Sequence, residues 1–332
     1  MFSILAANPL ATDEKIMRIV VLGSFVQACC WKVERLPKAG ETFTASALSI
    51  EAGGKGLNVA IGTRRLGANV DVLLGIGQDV AGDGLLRLLE NEGLSTRHVW
   101  RLAPQSGYGA GLIAADGQNA IAVYPGPNLM LAAEHVQFAE AALCGADLVY
   151  GQLETSMSAV ASAFRIARLH GVRTVLNPSP WQVLPKSLLN DTDVLIVNEV
   201  EARALLAMAA PLSGSLLDCI ELLCPLLDSF WLMWQGSLLV VTLGAIGSLA
   251  FERHGLIHQA HAFEIQSVDS IGAGDAFASG LCIELCNRTP LAEALRYANA
   301  CGAFMASRLG VLDSLPYQAE LQAQDFFKQA SM

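Results

Sequence analysis

From Val70 onward the chain alternates short apolar runs with segments of helical period, and nothing else in it constrains the fold as tightly. Strand-like runs at 70–76, 147–150, 172–177 and 193–197 are separated by helical stretches at 80–92, 134–145, 156–170 and 199–208. Such an order predicts a doubly wound, mostly parallel sheet with helices on both faces. The run Arg-Ile-Val-Val-Leu-Gly-Ser at 18–24 is a buried parallel strand by the same criterion. Mixed-polarity runs at 29–36, 44–52, 98–103 and 108–115 suit a smaller, exposed sheet, and Asp116-Gly117 turns the last of them into a hairpin with 119–124. No composition break, repeat or linker divides the chain, so one α/β domain is expected.

Composition then removes several functions. A net charge of -10 and the lack of any Lys/Arg-rich run argue against a nucleic-acid surface. At 53% hydrophobic residues a membrane span has to be considered, and the most apolar window is 222–241. It contains Pro225, Asp228, Ser229, Gln235 and Gly236, which divide it into a helix, a turn and a strand. The eight cysteines form no C-x-x-C pair and lie mostly in apolar runs, as reduced thiols of a cytoplasmic protein would. Residues 1–17 lack the pattern of a secretory signal and read as an extension.

In an open parallel sheet, ligands gather beyond the carboxyl ends of the strands. The residues there are Gly23-Ser24, Gly77-Gln78-Asp79, Gln152-Leu153-Glu154, Asn177-Pro178, Asn198 to Glu201, Thr242-Leu243-Gly244, and Gly272 to Asp275. Gly-Ala-Gly-Asp at 272–275 places unpaired backbone N–H groups at a helix start, where they suit a phosphate. Asp275 in that turn could take a proton from an attacking hydroxyl. An N-capping Asp after a glycine turn is the other reading of those residues. Gly53-Gly54-Lys55-Gly56-Leu57-Asn58 opens a helix and offers Lys55 and Asn58 to a polar substrate, or is simply a glycine-rich helix start. Asn198 and Glu201 present oxygens for a hard cation such as Mg²⁺, or form a capping box. Thr242 to Gly247 gives either a backbone-lined nucleotide groove or a plain β-turn.

In this order the motifs resemble the ribokinase-like (PfkB) carbohydrate kinase family over residues 18–316. Gly53-Gly54-Lys55-Gly56 with Asn58, and Asp269 to Asp275, carry the resemblance, with the other strand-end residues between them in family order. It implies ATP-dependent phosphorylation of a hydroxymethyl group on a sugar or sugar-like molecule. Asp275 would be the base, and the N–H groups of Gly272, Ala273 and Gly274 the anion hole. Gly54, Lys55, Gly56, Asn58 and Glu154 would hold substrate. Asn198, Thr242, Leu243, Gly244, Gly247 and Asn299 would meet the nucleotide. Mg²⁺ would be held through water by Asn198 and Glu201. K⁺ would sit among Asp269, Ile271, Met305, Arg308, Gly310 and Ser314. The mixed sheet, from about 29–52 and 98–115, resembles the family's lid, through which a homodimer could form; 317–332 is expected as a tail helix.

One segment departs from the family. Ribokinases read G-S-I-N-A-D after the first strand, and here the sequence is Gly23-Ser24-Phe25-Val26-Gln27-Ala28. Val26 and Ala28 replace both polar anchors, and with Cys30 they share one face of an extended chain, so that pocket wall should be apolar. The expected substrate is therefore not ribose but a molecule with a less polar edge, such as a nucleoside or modified sugar; Gln27 or Trp31 could supply a new contact. The alternatives are a sugar-phosphate kinase using Lys32, Arg35 or Arg101, and a non-catalytic sugar- or nucleotide-binding relative.

Overall fold

The computed structural model describes residues 16–116 and 118–324. Met1 to Lys15, Gly117 of the expected hairpin turn, and the end of the expected tail helix lie outside them; Gln318–Ala323 is helical. In chain order the strands are β1 (Arg18–Leu22), β2 (Val26–Val33), β3 (Ala47–Gly53), β4 (Asn69–Gly77), β5 (Val99–Ala103), β6 (Gly107–Ala114) and β7 (Asn119–Tyr124). They continue as β8 (Leu148–Gln152), β9 (Arg173–Asn177), β10 (Val194–Asn198), β11 (Leu238–Thr242), β12 (Gly247–Glu252) and β13 (Ile257–His261).

Nine of them form one sheet, ordered β13-β12-β11-β10-β9-β8-β1-β4-β5, parallel from β11 to β5. Strand β1 shows why both faces are covered. Ile19 and Val21 enter one apolar core, Val20 and Leu22 the other. On the first face lie the helices Lys55–Arg65, Val80–Asn91, Ala273–Asn287 and Leu291–Ala306; on the second, those from Ala133–Phe138 to Leu216–Met233. An apolar run that alternates between two cores can only be an interior strand. The window 222–241 resolves into the end of Leu216–Met233 and strand β11. No helix among the described residues is long and apolar enough to cross a membrane.

The lid is a second, four-stranded sheet ordered β3-β2-β6-β7. Its makeup corrects the sequence-based boundaries. Residues 98–103 do not belong to it: β5 pairs in parallel with β4 at the edge of the main sheet, with Trp100 and Leu102 packed on one core and Val99 on the other. The strand Asn119–Tyr124 takes that place, paired antiparallel with β6. Five residues cannot separate an edge strand covered from both sides from a lid strand by polarity alone. None of the eight cysteines forms a disulfide, the adjacent Cys29 and Cys30 on β2 included.

Candidate active site

Four backbone segments converge at the carboxyl edge of the sheet, and glycines let them meet. A Cβ on Gly56 would lie 2.0 Å from Gly23 Cα, and one on Gly54, whose φ is +121°, would lie 2.3 Å from Ser24 O. The close approach that these glycines allow is thus to the chain's own strand β1 exit, not in the first place to a ligand. It fixes the start of helix Lys55–Arg65 beside Glu154, whose Oε2 accepts from Ser24 Oγ at 2.6 Å and from Lys55 N at 3.0 Å.

Helix Ala273–Asn287 opens on Gly272, left-handed at φ +80°, with no side-chain cap. Asp275 does not cap it. Its carboxylate, on a residue 6% exposed, instead accepts from Asn58 Nδ2 at 2.7 Å. Burial is the main cause that pushes the Asp275 carboxyl up to about 6; nearby Lys55 and the Asn58 bond oppose this, while the charges of Glu154 and Glu201 add to it. A carboxylate so tuned is half-ionised at about pH 6 and mostly ionised at neutral pH, as a general base should be. Lys55 is burdened by desolvation, yet the charges of Asp275, Glu154 and Glu201 outweigh it and hold the ammonium above its ordinary value. Within the turn, Ala273 N bonds Ser270 O at 3.2 Å and Asp275 N bonds Gly272 O at 3.0 Å. A Cβ on Gly274 would meet nothing within 4 Å, so its backbone faces open space.

That space is a cleft of about 570 Å³ lined by Thr242, Gly244, Gly247, Ser270, Gly274 and Asn299 among others. Asn299 Nδ2 donates to Ala260 O and His261 O at 3.0 and 3.1 Å, which leaves Oδ1 as its free acceptor. Leu243 is 7% exposed and packs in the second core, and it does not line the cleft. Asn198 and Glu201 form the capping box, Asn198 Oδ1 accepting from Glu201 N at 2.9 Å and Glu201 Oε2 from Asn198 N at 3.0 Å. The charge of the nearly buried Glu201 still acts on Asp275 and Lys55, which places it at the same edge.

Of the remaining expected residues, Asp269 Oδ1 accepts from Ile271 N at 2.9 Å and Met305 O from Arg308 N at 3.0 Å. Ser314 Oγ donates to Leu309 O at 2.8 Å. Val268 N and Asp269 N both donate to Ala306 O, so the two segments adjoin. Among the candidate phosphate-binding cations, Arg35 pairs with Glu41, and Arg101 with Asp83 and Gly77 O, which commits both elsewhere.

Sequence reasoning passed over the lid's fastening. Asp79 accepts from Ser106 N, Ser106 Oγ, Gly82 N and Tyr108 OH. Burial raises this carboxyl, but the four bonds together prevail and hold it below its ordinary value. Asn128 ties Phe25 through both N and O, at 2.8 Å each. Asn128 belongs to no motif; only its position after Gly126-Pro127 marks a turn.

A two-sided parallel sheet with a small-sheet lid beside a glycine-turn aspartate is the architecture of a ribokinase-fold enzyme. The profile of the pfkB family of carbohydrate kinases matches residues 17–318, and the chain belongs to that family. It is 32% identical over 308 residues to ribokinase from Staphylococcus aureus, covering 92% of this chain and 98% of the relative. It is 30% identical over 303 residues to deoxyribokinase from Salmonella typhi, covering 90% and 96%. The structure of Arabidopsis thaliana ribokinase complexed with ribose and ATP superposes with a TM-score of 0.83 at 25% identity, covering 92% of this chain and 98% of that one. The protein is a sugar kinase, which sets aside the non-catalytic alternative.

Proposed function

We propose that the chain transfers a phosphoryl group from ATP to a hydroxymethyl group of a sugar or sugar-like molecule. The observation that carries this is the buried Asp275 carboxylate, raised to about 6 and carried by the residue next to the open Gly274 backbone. Asp275 takes the proton of the attacking hydroxyl, and the N–H groups of Gly272 and Gly274, joined by that of Ala273 once it turns from Ser270 O, receive the developing charge on the phosphoryl group. Lys55, Asn58 and Glu154, with the backbone of Gly54 and Gly56, hold the acceptor. Asn299 Oδ1 accepts from the adenine amino group, which favours adenine over guanine as the nucleotide base.

The donor set fits Mg²⁺ held through water: Glu201 Oε1 lies outside the capping box, and no cluster of three or more His, Cys, Asp or Glu side chains among the described residues would strip the ion of its shell. When bound, the ion offsets phosphate charge. K⁺ would be held by the carbonyls of Asp269, Ile271, Met305, Arg308, Gly310 and Ser314; in support, Val268 N and Asp269 N donate to Ala306 O, and a carbonyl with one hydrogen bond, such as Met305 O, keeps a second lone pair. The lid closes over the acceptor and excludes water. Its apolar residues Leu48 and Ile50, 53% and 58% exposed, are the surface through which two copies would pair.

For the acceptor itself we favour a molecule other than ribose, because Val26 and Ala28 offer no partner to its hydroxyls. A nucleoside is the second reading, favoured by the same two residues. Initial rates of ADP formation across D-ribose, 2-deoxy-D-ribose, hexoses and nucleosides test both. D-ribose as the best acceptor of the panel would sink the substrate assignment.

A further inference from the structure

Successive strand residues point to opposite faces, so Val26, Ala28 and Cys30 share one face of the lid with the residues paired beside them. The register sets Gly53, Glu51 and Ser49 of β3 opposite them on one side, and Gly107, Gly109 and Gly111 of β6 on the other. Beyond β6, Val123 stands beside Gly109 and Ile121 beside Gly111. The face so assembled is a trough. Its floor is Ala28, Cys30 and glycines; one rim is Glu51 and Ser49, the other Val123 and Ile121. It starts at Gly53, one residue before the Gly54-Lys55 step that holds Glu154. Tyr108 projects from the opposite face, to Asp79.

Packing explains only part of this floor. A Cβ on Gly107 would lie 2.6 Å from Phe25 O, so no larger residue fits there. A Cβ on Gly109 would sit 3.9 Å from Ala28 Cα, in ordinary contact, and its φ is not left-handed. Glycine inside a strand is destabilising relative to alanine, and it recurs where a ligand approaches the backbone. The protein's own packing gives no reason for it at 109. Glu51 is exposed and its carboxylate has no partner among the described residues, while its charge acts on Cys30 diagonally across the same face. Val123 and Ile121, at 60% and 64% exposure, leave an apolar wall facing that carboxylate.

We propose that Gly109 and Glu51 are specificity-determining residues, and that the trough receives a planar substituent carried by the sugar, whose N–H donates to Glu51. The substituent lies on the glycine floor against Val123 and Ile121, as an N-linked heterocycle with an amino group would. This rests on the reading that the acceptor hydroxymethyl sits at Asp275. The lost anchors at 26 and 28 are then not a defect in a ribose site but the floor of a larger one.

The test uses the full chain with ATP and Mg²⁺, and compares D-ribose, adenosine and cytidine for wild type, Gly109→Val and Glu51→Ala. Binding of each acceptor without ATP is measured alongside by calorimetry. Valine suits a strand, so the Gly109 variant keeps its fold. We expect a nucleoside to exceed D-ribose in kcat/KM, and each variant to raise the nucleoside KM about tenfold or more with that for D-ribose unchanged. A wild type that prefers D-ribose, a Gly109→Val variant that loses both acceptors equally, or no binding of either nucleoside overturns the proposal. Nucleoside binding that Gly109→Val weakens, with no phosphoryl transfer to the nucleoside, upholds the trough and overturns the hydroxymethyl reading instead.

Discussion

Asn58 Nδ2 donates to Asp275 Oδ2 at 2.7 Å, joining the first turns of two helices 217 residues apart in the chain. This bond favours the ionised carboxylate against the burial that resists it. With the carboxyl at about 6, kcat/KM should rise with pH and level off above neutrality. Asn58→Leu removes the opposing bond, so the acidic limb moves to higher pH. A pH–rate profile of the variant that keeps the wild-type limb contradicts this coupling.

The same shift has a cost in stability. Asp275 has a folded pKa raised from 3.8 to about 6, so the folded state binds its proton more tightly than the unfolded chain does. Stability from this group is complete below the unfolded pKa and is lost as pH rises through the folded one. At pH 7 the ionised carboxylate therefore weakens the fold by about 3 kcal/mol in order of magnitude. Asp275→Asn should raise Tm at pH 7 and bring little gain at pH 4. Equal Tm values at pH 7 would argue that Asp275 is not buried as an anion.

Two glycines should part company under the same substitution. Gly56→Ala places a methyl 2.0 Å from Gly23 Cα, backbone against backbone, and should lower stability by about 3 kcal/mol or more. Gly274→Ala meets nothing within 4 Å and should fold at least as stably, since alanine is the better helix former by about 1 kcal/mol. Its methyl stands in the cleft beside the anion hole, so kcat should fall. Chemical denaturation paired with steady-state kinetics separates the two outcomes.

Glu154 holds two donors, Ser24 Oγ and Lys55 N, with one oxygen. Glu154→Ala leaves the fully buried Ser24 hydroxyl unpaired, a loss of about 1–3 kcal/mol, and releases the helix start that carries Lys55. We expect the KM for the sugar to rise with that for ATP unchanged. A rise confined to ATP would place Glu154 on the wrong ligand.

The sheet and the glycine turn were legible because their signals are local: alternation within five-residue strands, and Gly-Ala-Gly-Asp within four residues. What the sequence left open at Asp275, a cap or a base, depended on Asn58, which no spacing connects to it. Gly54 and Gly56 were visible as a motif, but their reason was not, since the backbone they admit is that of Gly23 and Ser24. Strand β5 was misplaced for a similar cause: its polarity reflects an edge position beside β4, and a sheet edge is a tertiary fact. Leu243 sat in the right loop while its side chain went to the core.

The most direct test of the account is the turnover of Asp275→Asn with ATP and the best acceptor of the panel, measured on protein whose acceptor binding is confirmed by calorimetry. Loss of the base should lower kcat by about 10²–10⁴-fold with acceptor affinity nearly unchanged. Undiminished kcat in that variant would contradict the assignment of Asp275 as the base, and with it the reading of the glycine turn as the place of phosphoryl transfer.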